Sequence, residues 1–575
     1  MQMPWADSHV SESAVPSDLR PLTGYLFDRA GSDAPAFTFL DCATDRDGIE
    51  RTMSWAQLAQ QVRAVAAELN RLTGRGRRVA ILAPQDPTYV TAFLGALHAG
   101  TVAVPLFAPE ASRHSGRLVH VLSDCAPEVW LTSRSSMEKV RALADDNSVP
   151  MPKHIVAVDE LSPSPGDFAA PEIGLDEPAY LQYTSGSTRD PAGAVITHRA
   201  VVANSWQAAT AYRADAGWTV VGWLPFFHDM GLIQQLAAPV FAGSRSLFMT
   251  PFDFVKRPVR WLRAMSGKRD VMSSAPDFAF EYVSRKTPDA DRAGLDLSGV
   301  RVLITGSEPV RAATIADFRR TFGPYGLASN VLRPSYGLAE ATVFVTATGE
   351  EGPVVTAFDR AALADHRGVP VGPQSPGAVA LVAAGRPVSQ SVHIVHPDRL
   401  VAVPEGGVGE IWVDGPNVAA GYWQQPERTE ETFGGRRGDA PGRWLRTGDL
   451  GLIHDGLLYI TGRIKDLIII DGRNHYPQDI EATVSEAHPA IRRDGVAAFA
   501  VHDESGVEGA AVVAEYRRGD DADEAEIARA VRRAVSATHD VRLRGLKLLR
   551  SGAVSRTSSG KVARSATKQR HWGQT

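Results

Sequence analysis

Short apolar runs bounded by turn residues alternate, over most of the chain, with segments whose apolar positions recur every three to four residues. Residues 78–82, 154–158, 194–197 and 301–305 predict strands. Strands separated by helical segments predict an α/β architecture with parallel or mixed sheets. The longest uncharged run, residues 87–109, is long enough to cross a bilayer, but Pro87, Gly95, His98, Gly100 and Pro105 divide it. Asp86 predicts an N-cap for a helix that starts at Pro87 and ends at Gly100, and a strand over 101–106 follows. No stable membrane insertion is expected.

Around residues 462–466 the pattern changes. A strand over 467–470 precedes a helix with Pro477 in its first turn, and strands over 495–501 and 509–515 flank a turn at 503–506. An amphipathic helix then opens with Asp521, Asp523, Glu524 and Glu526, where the helix dipole favours negative charge. Its Ile527, Val531, Ala534 and Val535 fall on one face. These elements predict a small α+β domain over 465–575, behind a larger domain over 1–464. From Arg542 onward there are nine basic residues and no acid, which predicts a solvated basic tail.

Composition narrows the function classes. At 575 residues, 44% hydrophobic and 22% charged, the chain is ordinary globular material with room for several domains. A net charge of −5 gives no reason to expect a nucleic-acid binder. Two cysteines, Cys42 and Cys125, exclude a disulfide framework and a Cys-rich zinc site. Residues 1–20 carry Asp7, Glu12 and Asp18 and lack the apolar stretch of a signal peptide, so a cytoplasmic location is expected.

The chemistry starts at residues 183–193, YTSGSTRDPAG. Thr184, Ser185, Gly186, Ser187 and Thr188 allow a tight loop whose backbone N–H groups and hydroxyls can wrap phosphate oxygens. No Gly-Lys-Ser/Thr follows, so it is not a Walker A loop. On composition alone it is an ordinary Ser/Gly turn. The full string resembles the phosphate-binding loop of the adenylate-forming superfamily, which holds acyl-CoA synthetases, luciferases and peptide-synthetase adenylation domains. Further pieces recur in that family's order: GWLPFFHDMG (222–231), GSEPV (306–310), SYGLAEAT (335–342), GEIWVDG (409–415), RTGDLG (446–451), GRIKDLIIIDGRNHYPQDIE (462–481) and SRTSSGK (555–561).

The resemblance implies a large multi-subdomain amino-terminal domain with a small mobile lid, and it implies ATP and Mg²⁺ as cofactors. It assigns Lys561 as the catalytic lysine of the lid and His228 as the gate between ATP and the acyl site. Gly306, Ser307, Glu308 and Pro309, with Ser335, Tyr336 and Gly337, correspond to the adenine slot. Asp449 corresponds to the ribose acceptor, Arg463 to the ribose- and phosphate-contacting arginine, Glu340 to the magnesium ligand and Lys465 to the lid hinge. A lysine ammonium suits such a step because it offsets charge as carboxylate meets phosphate.

Two features resemble the fatty acyl-AMP ligase branch. The phosphate loop ends in Asp190-Pro191-Ala192-Gly193 where acyl-CoA synthetases tend to have Lys-Pro-Lys-Gly. Seventy residues separate Glu340 from Glu410, and that interval holds an extra stretch, about 358–385, where the branch carries an insertion thought to disfavour the CoA-using pose. GRNHYP, residues 472–477, also resembles this branch. The implied function is ATP-dependent activation of a medium- or long-chain fatty acid to an acyl-adenylate. Transfer to the phosphopantetheine of an acyl carrier protein, serving a polyketide or lipopeptide synthase, follows. Two alternatives stand beside it: an acyl-CoA synthetase, and an inactive nucleotide-binding or docking module. A serine hydrolase is excluded, since no G-x-S-x-G elbow is present.

Overall fold

The computed structural model describes residues 15–573 apart from 110–114, 146–148, 163–167, 184–191, 440, 471–472, 503–507, 518–522 and 558–560. A six-stranded sheet runs in the spatial order His154–Ala157, Val129–Thr132, Arg78–Ile81, Val102–Pro105, Pro178–Tyr183, Gly193–Thr197. Its strands are parallel except for the last pair. The uncharged run resolves as its punctuation implies. Asp86 accepts the Thr88 N–H at 2.7 Å to open helix Pro87–His98, and Gly100 (φ +67°) turns the chain into strand Val102–Pro105. Among the described residues no helix is long and apolar enough to cross a membrane.

A larger sheet has a parallel core of Arg245–Phe248, Thr219–Gly222, Val271–Pro276, Val300–Gly306 and Leu332–Tyr336. The carboxyl ends of parallel strands are where α/β folds place ligands. Here those ends run into the 222–231 motif, into helix Asp277–Lys286, into Ser307 and into Gly337. Beyond Leu332–Tyr336 the sheet turns antiparallel. Its strands Ala378–Pro387, Leu457–Arg463, Leu445–His454 and Gly409–Asp414 bring in Asp449 and Arg463.

Residues beyond 467 close a core of their own. A hairpin, Ile468–Ile470 with Arg473–His475, leads to helix Pro477–Ala487 and to strands Ile491–His502, Glu508–Tyr516 and Gly545–Leu549. Helix Glu524–His539 is capped by Asp523 and buries Ile527, Val531 and Val535 against Ile480, Val484 and Val512.

The basic segment is folded rather than a loose tail, yet Arg542, Arg544, Lys547, Arg550, Arg556 and Arg570 are exposed, as its charge predicts. Gly545–Leu549 pairs in parallel with Glu508–Tyr516, and Arg564–Trp572 is a helix. Arg564 is largely buried because Glu481 (2.7 and 2.8 Å) and Asp466 (2.9 Å) satisfy its guanidinium. Paired, hydrogen-bonded carboxylates are what make such burial tolerable.

Candidate active site

Asp449 and Arg463 face each other across an antiparallel strand pair, and Tyr336 reaches them from the end of a parallel strand. The Tyr336 hydroxyl donates to Asp449 Oδ2 at 2.7 Å, and Arg463 Nε donates to Oδ1 at 2.8 Å. Asp449 is buried while Arg463 stays exposed. Burial pushes the Tyr336 phenol well above its ordinary range, and the neighbouring Asp449 charge raises the Arg463 guanidinium. Beside them the backbone leaves no room for side chains. A Cβ on Gly306 would sit 2.4 Å from the Ser335 carbonyl oxygen, and one on Gly337 1.5 Å from that of Val343. The Ser335 hydroxyl donates to the Thr346 carbonyl at 2.8 Å, which ties the strand end down.

Ser307, Glu308 and Pro309 diverge in what they do. Ser307 sits at φ +65° with its hydroxyl 3.3 Å from Met230 Sδ. Glu308 accepts the Phe278 N–H at 2.7 Å, so it anchors the start of helix Asp277–Lys286, and burial pushes its carboxyl up. Pro309 is exposed.

His228 precedes helix Asp229–Leu232, and its Nδ1 lies 2.6 Å from Asp229 Oδ1. Burial alone would raise the Asp229 carboxyl, but the charges of His228 and Lys561 more than offset it and hold it low. Asp229 is thus paired with the His228 ring. Lys561 arrives from the far end of the chain, held by exchange with Thr557: Thr557 N–H to the Lys561 carbonyl at 2.9 Å and Lys561 N–H to Thr557 Oγ1 at 3.2 Å. Burial and the nearby Arg463 charge lower the Lys561 pKa, and Asp229, Glu308 and Asp449 oppose that shift. Lys561 lines an apolar cavity of about 150 Å³ together with Ser307, His228, Met230, Trp223 and Phe278. The structure thus brings Lys561, His228 and Ser307 around one cavity.

Glu340 lies in the short turn Ala339–Ala341 and accepts the Tyr422 hydroxyl at 2.8 Å. Burial raises its carboxyl, against that hydrogen bond. A half-buried carboxylate with lone pairs beyond one phenol suits a hard cation, which takes oxygen ligands. The segment carrying Tyr422 also clamps the strand that leaves the serine-rich loop: Trp423 N–H bonds the Gly193 carbonyl at 2.8 Å and Val195 N–H that of Gly421 at 2.9 Å. Thr184, Ser185, Gly186, Ser187 and Thr188 lie outside the described residues. Lys465 is exposed in the turn Ile464–Asp466, between strands Leu457–Arg463 and Ile468–Ile470.

Sequence reasoning missed Tyr422, which no spacing marks, and missed what the extra stretch touches. Helix Arg360–Ala364 of that stretch meets the small carboxy-terminal unit. Arg360 Nη1 lies 3.3 Å from His539 Nδ1 and 3.6 Å from Asp479, and Asn474 Nδ2 lies 2.8 Å from His366 Nε2. The Tyr476 hydroxyl donates to the Leu363 carbonyl at 3.3 Å, with its ring packed among Phe358 and Leu363. Asn474 and Tyr476 both belong to GRNHYP.

Residues 27–423 match the AMP-binding enzyme family, and residues 465–575 match the AMP domain of Disco-interacting protein 2-like proteins. The chain is 43% identical to the long-chain-fatty-acid–AMP ligase FadD32 of Mycolicibacterium smegmatis, over 93% of this chain and 91% of that protein. It is 42% identical to FadD26, a long-chain-fatty-acid–AMP ligase of Mycobacterium tuberculosis, over 97% and 98%. A structure from a study of fatty acyl-adenylate ligases of E. coli and L. pneumophila superposes with a TM-score of 0.85 at 33% identity, covering 96% of this chain and 98% of the other. The L. pneumophila fatty acyl-adenylate ligase in complex with acyl adenylate and pyrophosphate gives 0.75 at 32%, covering 94% of each chain.

Proposed function

The chain belongs to the AMP-binding enzyme family and, within it, to the fatty acyl-AMP ligases, and from that membership we propose that it activates a fatty acid with ATP. The product is an acyl-adenylate, which then passes its acyl group to the phosphopantetheine thiol of an acyl carrier protein of a polyketide or peptide synthase. The observation that carries this reading is Lys561 seated in the apolar cavity beside His228 and Ser307. The ammonium stands where a hydrocarbon-bound carboxylate would end.

The fatty carboxylate oxygen attacks the α-phosphorus of ATP in line, and the bond to pyrophosphate breaks. Lys561 bridges the two anions and offsets charge as the new P–O bond forms. Asp449 accepts from the ribose hydroxyls, Arg463 holds Asp449 and faces the phosphates, and Tyr336 with the 306–309 turn borders the base. His228, oriented by Asp229, lines the path between the two substrates. Glu340 would hold Mg²⁺, which supplies neutralisation of the ATP phosphates. Residues 465–575 act as the lid: turning about Lys465 withdraws Lys561 and admits the carrier thiol. Contacts from Arg360, Leu363 and His366 to the lid favour the adenylating pose and so disfavour CoA use.

One assay tests this. Purified protein is incubated with ATP, Mg²⁺ and a ladder of fatty acids, with CoA, holo carrier protein or neither, and products are read by mass spectrometry. Acyl-AMP that accumulates without acyl-CoA and moves to the carrier protein is the expected result. Efficient acyl-CoA formation would make the protein an acyl-CoA synthetase. ATP binding without pyrophosphate exchange would leave only a docking module.

A further inference from the structure

The cavity capped by Lys561 measures about 150 Å³, enough for an apolar group the size of benzene. The relatives are named for long-chain acids, so most of such a chain must lie elsewhere. Inward, the way is closed. Trp223 stacks on Phe254 with ring centroids 3.9 Å apart and planes 5° apart, and Trp261 meets both rings edge-on. All three side chains are buried. Reaching past them would dismantle a packed aromatic cluster.

Outward, the way is open. Val255 lines the cavity yet is 52% exposed, and Phe252, three residues earlier on helix Pro251–Lys256, is 70% exposed. Residues three apart share a helix face, while Phe254 points to the buried side. Across the mouth stands helix Asp277–Lys286, whose Phe278 lines the cavity and whose Tyr282 hydroxyl donates to the Val255 carbonyl at 2.9 Å. An exposed Phe and Val continuous with an apolar cavity form surface that a hydrocarbon would take out of water.

Resting on the ligase reading, the geometry points to an open-ended acyl site. The chain turns at Trp223, leaves between Val255 and Phe278, and lays its distal methylenes along Val255 and Phe252. Within the long-chain acids for which the relatives are named, this route admits those whose far end is bulky or branched and would not pass down a closed tunnel.

The test compares acyl-AMP formation by the full chain with hexanoate, hexadecanoate and a hexadecanoate carrying a terminal adamantyl group. The tagged acid should be used within about threefold of the plain one, and Phe252→Asp should lower kcat/KM for hexadecanoate about tenfold while leaving hexanoate within about twofold. Rejection of the tagged acid by about a hundredfold would overturn the proposal. So would a Trp223→Ala variant that gains long-chain turnover while Phe252→Asp changes nothing, because the chain would then run inward. If the wild-type chain adenylates none of the acids, the ligase reading itself falls. Normal hexanoate turnover with the tagged acid refused defeats the route alone.

Discussion

A lysine ammonium in an apolar cavity needs nearby anions, and Lys561 has Asp229, Glu308 and Asp449 at electrostatic range, against the one opposing charge of Arg463. Lys561→Ala should slow acyl-adenylate formation about 10²–10³-fold, the usual cost of removing one charge-stabilising donor, with ATP affinity largely kept. Asp229→Asn keeps the shape but removes the charge shared by His228 and Lys561, so its loss of rate should be smaller, with the acyl-transfer half-reaction unchanged from preformed acyl-AMP. Single-turnover assays of each half separate the two. An unchanged adenylation rate in Lys561→Ala would defeat the catalytic role. The strings that carry Lys561, Asp449 and Arg463 were legible in the sequence because each is contiguous. The pairing of Tyr422 with Glu340 was not, because 82 residues separate them and only the fold sets their approach.

At the scale of elements, the extra stretch and GRNHYP are two halves of one contact. The sequence marks both, yet nothing in either string says that His366 meets Asn474 or that Tyr476 packs on Leu363. The stretch also ends inside the large sheet, since strand Ala378–Pro387 pairs with Val355–Asp359 and Leu457–Arg463. Cutting out 358–385 would therefore damage the sheet as well as the restraint, and side-chain changes are the cleaner probe. Hydrogen bonds of this kind contribute about 0.5–1.5 kcal/mol each, and more where a charge takes part. Removing two of them in Arg360→Ala/His366→Ala should shift the lid equilibrium by about tenfold. Acyl-CoA should then appear in the mass-spectrometric assay at a rate at least several-fold above wild type. A folded, adenylating double variant with no such gain would show that the contacts do not restrain the lid.

Over the whole molecule, strand positions were legible to within a few residues because a short apolar run between turn residues has few other uses in a packed fold. The fate of the basic segment was not. Within it, the placement of Arg564 depends on Glu481 and Asp466, which lie 83 and 98 residues away. A second long-range property concerns protons. His98 and His198 are buried, and burial lowers each imidazole to about 4 from the ordinary 6.5. The folded pKa is the depressed one, so the unfolded chain takes up the proton first. The stability these histidines contribute is present above pH 6.5 and is lost as pH falls from 6.5 toward 4. Asp479 opposes them: burial raises it to about 6 from 3.8, so between those values the folded state holds its proton more tightly and gains from acid. Carboxyls elsewhere in the fold also contribute, and only a difference between two chains isolates one group. His198→Gln should flatten the fall of stability between pH 6.5 and 5 by up to about 1.4 kcal/mol per pH unit, the weight of one proton. Paired thermal melts across that range measure it. Parallel curves for the two proteins would mean that His198 is already protonated in the folded state, and that its buried place just after the six-stranded sheet's last strand does not exclude charge.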